Sequence, residues 1–107
     1  MTKTYNKIVR DKIPKIIEDS GNTCTTRILS DEEYIEMLDK KLNEECAEYQ
    51  ADKNIEELAD MLEVIYAIAK AKGTSIEELE KVRLKKAEKR GGFDEKILLI
   101  ETVVNEA

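Results

Sequence analysis

Four acidic residues set symmetrically about one short break constrain the fold of this chain more than any other feature. Glu45, Glu48, Glu57 and Asp60 all fall within Lys41–Ile65. Glu48 and Glu57 lie equally far from the midpoint between Asp52 and Lys53, with Glu45 three residues before the first and Asp60 three residues after the second. Residues three apart share a helix face. Two antiparallel helices joined at this break therefore converge the four carboxylates as a square. Unit charges about 5 Å apart repel by roughly 3 kcal/mol at an effective dielectric of 20, so six such pairs cost on the order of 10–20 kcal/mol. Bound cations would remove that cost. Oxygen-only donors are hard and suit Mg²⁺, Mn²⁺ or Ca²⁺ rather than zinc or copper. The bland alternative is a pair of solvated helix faces on which the acids never meet.

The apolar register favours convergence. Ile35, Leu38, Leu42 and Tyr49 recur at helical spacing, and Glu45 fills the missing position of that inward row. On the second helix Met61, Val64 and Ile68 form a row that Glu57 continues, and Ile55, Leu58, Leu62, Ile65 and Ala69 form an adjacent one. A glutamate in a core-facing row must be paired or must coordinate a metal. Glu48 and Asp60 flank these rows and close the square from its rim.

Capping signals divide the rest of the chain. Pro14 suits the first turn of a short helix over Ile13–Asp19, and Gly21 suits its end. Ser30 with Glu33 forms a capping box that opens a long helix over residues 31–50. Asn54 with Glu57 starts a second over 55–72, ended by Gly73, and Ser75 with Glu78 starts a third over 76–89, ended by Gly91-Gly92. The fold class is all-α, a helical bundle built on an antiparallel hairpin. Two β-prone stretches, 23–29 (TCTTRIL) and 96–104 (KILLIETVV), suggest a small two-stranded β element. Residues 1–107 read as a single domain, large enough for a modest core.

Composition excludes several functions. A net charge of −6 argues against a general nucleic-acid binder. No apolar run approaches membrane-spanning length and the N-terminus lacks a signal-peptide core, so the chain reads as cytoplasmic, with Cys24 and Cys46 as free thiols. Histidine is absent, which removes Ser-His-Asp and Cys-His nucleophilic sites and the usual His-ligated zinc. Chemistry here must run on carboxylates, Lys, Arg, Tyr and a bound metal. Charge is also segregated: Asp31–Glu63 holds thirteen acids and three bases, a balance of −10, whereas Lys81–Arg90 holds six bases and one acid, a balance of +5. The first twenty residues add Lys3, Lys7, Arg10, Lys12 and Lys15. An acidic centre flanked by basic segments suits a polyphosphate ligand carried with divalent metal, although basic residues near a helix C-terminus also simply complement its dipole.

These residues resemble a known family. Glu44–Glu48 reads EECAE and Glu57–Asp60 reads ELAD, similar to the paired-glutamate and Glu-x-x-Asp signature of the MazG-type all-α nucleoside triphosphate pyrophosphohydrolases. The opening YNKIVRDKIPKII, the capped SDEEY and the late KRGGF look like the branch near phosphoribosyl-ATP pyrophosphohydrolase, so the resemblance spans nearly the whole chain. One departure is that only eight residues separate Glu48 from Glu57, fewer than the family usually has. The resemblance implies Mg²⁺-dependent (or Mn²⁺-dependent) hydrolysis of a nucleotide substrate between the α and β phosphates, giving a monophosphate and pyrophosphate. It implies Glu45, Glu48, Glu57 and Asp60 as metal ligands; of the candidate catalytic carboxylates, Glu44 and Glu45, the first stands beside this set as a candidate to orient or deprotonate water, against the reading of a solvated glutamate. Arg10, Lys12, Lys86 and Arg90 are candidates for phosphate contact, and Tyr49 and Tyr66 for stacking on a base. Family members are dimers or larger, and the second apolar row on the Glu57 helix points the same way, to a homodimer or homotetramer. The competing reading is a non-catalytic acidic helical module that binds a basic partner.

Overall fold

The computed structural model describes residues 1–105, and among them four helices form: α1 (Ile13–Asp19), α2 (Asp31–Asp52), α3 (Ile55–Ala71) and α4 (Ile76–Arg90). The all-α expectation holds. Each start follows from local chemistry. At α1, Pro14 occupies the first turn, where its missing N–H costs nothing. At α2, the Ser30 hydroxyl accepts the Glu33 N–H at 3.2 Å while the Glu33 carboxylate accepts the Ser30 N–H at 3.3 Å. Arg27 then donates twice to Glu33, at 3.1 and 2.8 Å, and holds its carboxyl down to about 2.

The break between α2 and α3 is only Lys53 and Asn54. Lys53 takes the left-handed conformation (φ 58) that usually falls to glycine after a helix, and its N–H donates to the Tyr49 carbonyl at 2.7 Å. The Asn54 side chain accepts the Glu57 N–H at 3.0 Å and caps α3. A two-residue turn folds α3 back along α2, and these two helices pack on each other. Their seam takes in the inward row read from the sequence, and the C-terminal end of the adjacent row, half-buried Ile65 and buried Ala69, is covered as well. Leu38, Val64, Ala69 and Glu45 are the buried residues among those described, with Ile35, Leu42, Tyr49, Met61 and Ile68 half-buried beside them.

The chain divides into two compact units, one spanning Met1–Ile76 and the other beginning at Glu77. The first holds α1 and the α2–α3 hairpin. The second holds most of α4, on which Leu79 and Ala87 are half-buried, followed by Gly91 (φ 84) and an extended stretch.

The small β element does not form. Residues 23–29 and 96–104 contain no strand. β-Branched composition favours extended backbone, but a strand exists only where a neighbour takes up its N–H and C=O groups. In the first stretch Arg27 is committed to Glu33 of the α2 cap. The second opens at Lys96 in the left-handed region (φ 60), and its side chains are exposed throughout.

Candidate metal centre

The hairpin places Glu45 from α2 opposite Glu57 and Asp60 from the first turns of α3. Ligand atoms of these three carboxylates lie within 4.8 Å of one another, and Glu44, Glu45 and Glu48 form a second such trio on α2. The expected square thus takes the form of two trios that share Glu45. Glu45 is 6% exposed, whereas Glu48 stays exposed at the rim. Asn54 sets the start of α3 and so the position of Glu57, whose own N–H it accepts.

The electrostatics are those of a partly compensated acidic cluster. Burial raises the Glu45 carboxyl above its ordinary range; Lys41 opposes that rise, and Glu48 adds to it. Burial likewise raises Glu57, followed by the charges of Glu48, Asp52, Asp60 and Glu45. Two oxygens at the shared corner, Glu45 Oε2 and Glu57 Oε2, are buried without a hydrogen-bond partner. A buried acceptor left unsatisfied costs about 1–3 kcal/mol, more when charged. Both orphans belong to carboxylates within reach of a common point, and the donor set is all oxygen. Such a set can hold one hard divalent ion of the Mg²⁺ or Mn²⁺ kind.

Three basic residues offset the cluster from outside. Lys41 Nζ lies 3.3 Å from Glu45 Oε1 and 3.5 Å from Glu44 Oε1. Lys7 Nζ donates to Glu44 Oε1 at 2.8 Å, an interaction that lowers the Glu44 carboxyl and raises the Lys7 amine. Arg10 Nη2 donates to Asp60 Oδ1 at 2.7 Å. The role of Lys41 has a sequence signal, since it stands three and four residues before Glu44 and Glu45 on one helix face. Lys7 has none, because its partner lies 37 residues away.

The remaining candidates are distributed as follows. Arg10 reaches the cluster, bound to a carboxylate. Lys12 is exposed at the start of α1. Lys86 and Arg90 are exposed on α4, in the second unit. Tyr49 is half-buried with the Lys53 amine 5.5 Å from its ring centroid, and Tyr66 is half-buried on α3.

No family model matches the chain, and no solved structure matches it. A protein of Mycolicibacterium smegmatis (strain ATCC 700084 / mc(2)155), described only as uncharacterized, is 53% identical over 45 residues. That match takes in 42% of this chain and 46% of the relative, so the chain spans less than half of its length.

Proposed function

We propose that the protein is a divalent-metal-dependent nucleotide pyrophosphohydrolase of the MazG-like kind, which hydrolyses a nucleoside triphosphate or a phosphoribosyl-ATP-like nucleotide to the monophosphate and pyrophosphate. The observation that carries this reading is the pair of buried, unpartnered oxygens on Glu45 and Glu57, two carboxylates that cluster with Asp60 across a helix hairpin. A solvated acidic face would leave no such pair. Glu45, Glu57 and Asp60 would hold the first ion, and Glu44 and Glu48 extend the donor set along α2. The ion, Mg²⁺ or Mn²⁺, would neutralise phosphate oxygens and make water a better nucleophile.

The chain supplies the rest. Phosphoryl transfer depends on position and charge neutralisation rather than on a covalent side chain. The absence of histidine is therefore no obstacle. Glu44, half-buried and paired with Lys7 and Lys41, would orient a water at the edge of the cluster. Arg10 and Lys12 are the phosphate contacts of the first unit in this reading, with Arg10 already beside Asp60. Tyr49 and Tyr66 are the aromatic faces available to a base. The working form is proposed to be a cytoplasmic homodimer or homotetramer, since α3 carries an exposed apolar row. Among the described residues no helix is long and apolar enough to cross a membrane.

The test is substitution of the α3 acids. Glu57→Gln or Asp60→Asn is expected to abolish Mg²⁺-dependent pyrophosphate release across a panel of nucleotides while circular dichroism still shows a folded helical protein. Full activity in either variant would sink the assignment.

A further inference from the structure

We propose that Lys7 and Arg10 are built-in counter-ions of the carboxylate cluster that a divalent ion must displace, so that the segment before α1 is latched in the metal-free protein and released on metal binding. The inference rests on the metal reading above.

The latch has a specific construction. Residues 1–12 form neither helix nor strand, and every side chain among them is exposed except half-buried Ile8. Apolar burial therefore does little to hold the segment down. Polar contacts to both arms of the hairpin do so instead: Lys7 to Glu44 on α2 at 2.8 Å, and Arg10 to Asp60 on α3 at 2.7 Å. Each contact ends on one of the two carboxylate trios. A small cavity lies between the segment and α2, lined by Asn6, Lys7 and Ile8 on one side and Met37, Lys41 and Glu44 on the other. Asn6, immediately before Lys7, sits in the left-handed region (φ 47).

The charges decide which state wins. Both pairs are partly exposed to solvent and hence individually modest. A doubly charged ion on Glu45, Glu57 and Asp60 takes the carboxylate that Arg10 holds, and it repels the guanidinium at close range. The orphan oxygens on Glu45 and Glu57 are not reached by either base, so the ion gains contacts the latch cannot offer. Once displaced, Arg10 stands free at the mouth of the site. A planar guanidinium is suited to bidentate contact with a phosphate group, so the same residue that guards the empty cluster becomes available to the anionic ligand that accompanies the metal.

The experiment uses the full chain and Mn²⁺ alone, with two readouts independent of catalysis. Calorimetric titration is expected to show Arg10→Gln binding Mn²⁺ at least threefold tighter than wild type, because a competing cation has been removed, and Lys7→Gln shifting the same way by a smaller factor. Lys3→Gln, whose amine lies over the Tyr5 ring and not on the cluster, should match wild type. Trypsin should cut after Lys7 and Arg10 several-fold faster in wild type when Mn²⁺ is added, and without the ion Arg10→Gln should be cut after Lys7 faster than wild type. Equal Mn²⁺ affinity in wild type, Arg10→Gln and Lys7→Gln, or slower cleavage with Mn²⁺, overturns the latch and leaves the metal site standing. Absence of Mn²⁺ binding by wild type removes both.

Discussion

Glu45 and Glu57 make the metal-free protein respond to acid in an unusual direction. Their carboxyls are raised in the folded state by burial and by neighbouring acids, above an ordinary value of 4.5. The folded form therefore holds protons that the unfolded form releases, and stability falls as pH rises through that window. Glu33 acts oppositely: lowered to about 2 by Arg27, it contributes fully above 4.5 and loses that contribution as pH falls toward 2. In the presence of chelator, Tm is expected to be highest just above 4.5, to decline toward neutrality and to collapse on the acid side. Glu57→Gln should flatten the decline toward neutrality, while saturating Mg²⁺ should reverse it, because protons and metal compete for the same oxygens. A chelated wild type whose Tm climbs steadily to neutrality would contradict this arrangement. At this scale the acids were legible in the sequence, because Glu45 and Glu57 stand in apolar rows whose period is helical. Their long-range partners were not. Nothing local in YNKIVR links Lys7 to a residue 37 positions on, or Arg10 to one 50 positions on.

The element that sets the site is the two-residue turn. Asn54 accepts the N–H of Glu57 itself, so the cap of α3 and the placement of a cluster carboxylate are one interaction. Asn54→Ala should cost about 1 kcal/mol, which lowers Tm by roughly 4–8 °C in a domain of this size. It should also weaken Mn²⁺ binding, as Glu57 loses its anchor. Lys53→Gly is expected to do the reverse for stability. A left-handed conformation costs an L-residue about 1–2 kcal/mol, and what Lys53 makes in return, a hydrogen bond to Gln50 at 2.6 Å and a contact with the Tyr49 ring, is formed by an exposed amine on a flexible stem. Thermal melts of both variants check the pair of signs. Helix starts were legible from residue chemistry, since Ser30 with Glu33 and Asn54 with Glu57 each name a first turn. The β reading of 23–29 and 96–104 failed for a physical reason. Propensity describes a residue's fit to a pleated surface, whereas a strand also needs a partner, and no periodicity within one segment reveals whether a partner is there.

At the scale of the whole molecule, the apolar surface left on α3 is the feature that argues for assembly. Ile55 is 75% exposed, Leu58 42% and Leu62 45%, and all lie beside the row that packs on α2. Burying the exposed half of such a side chain is worth about 1–1.5 kcal/mol. In an isologous contact the same three residues count twice, which gives roughly 6–9 kcal/mol. Association itself costs about 4–15 kcal/mol, so this row alone sits near balance and one substitution should tip it. Wild type is therefore expected to behave in light scattering as a dimer or tetramer that dissociates on dilution. Leu58→Glu places two charges in the contact and should yield a monomer of 12.3 kDa that stays helical. A wild-type monomer at every accessible concentration would show that the row is simply a solvated face.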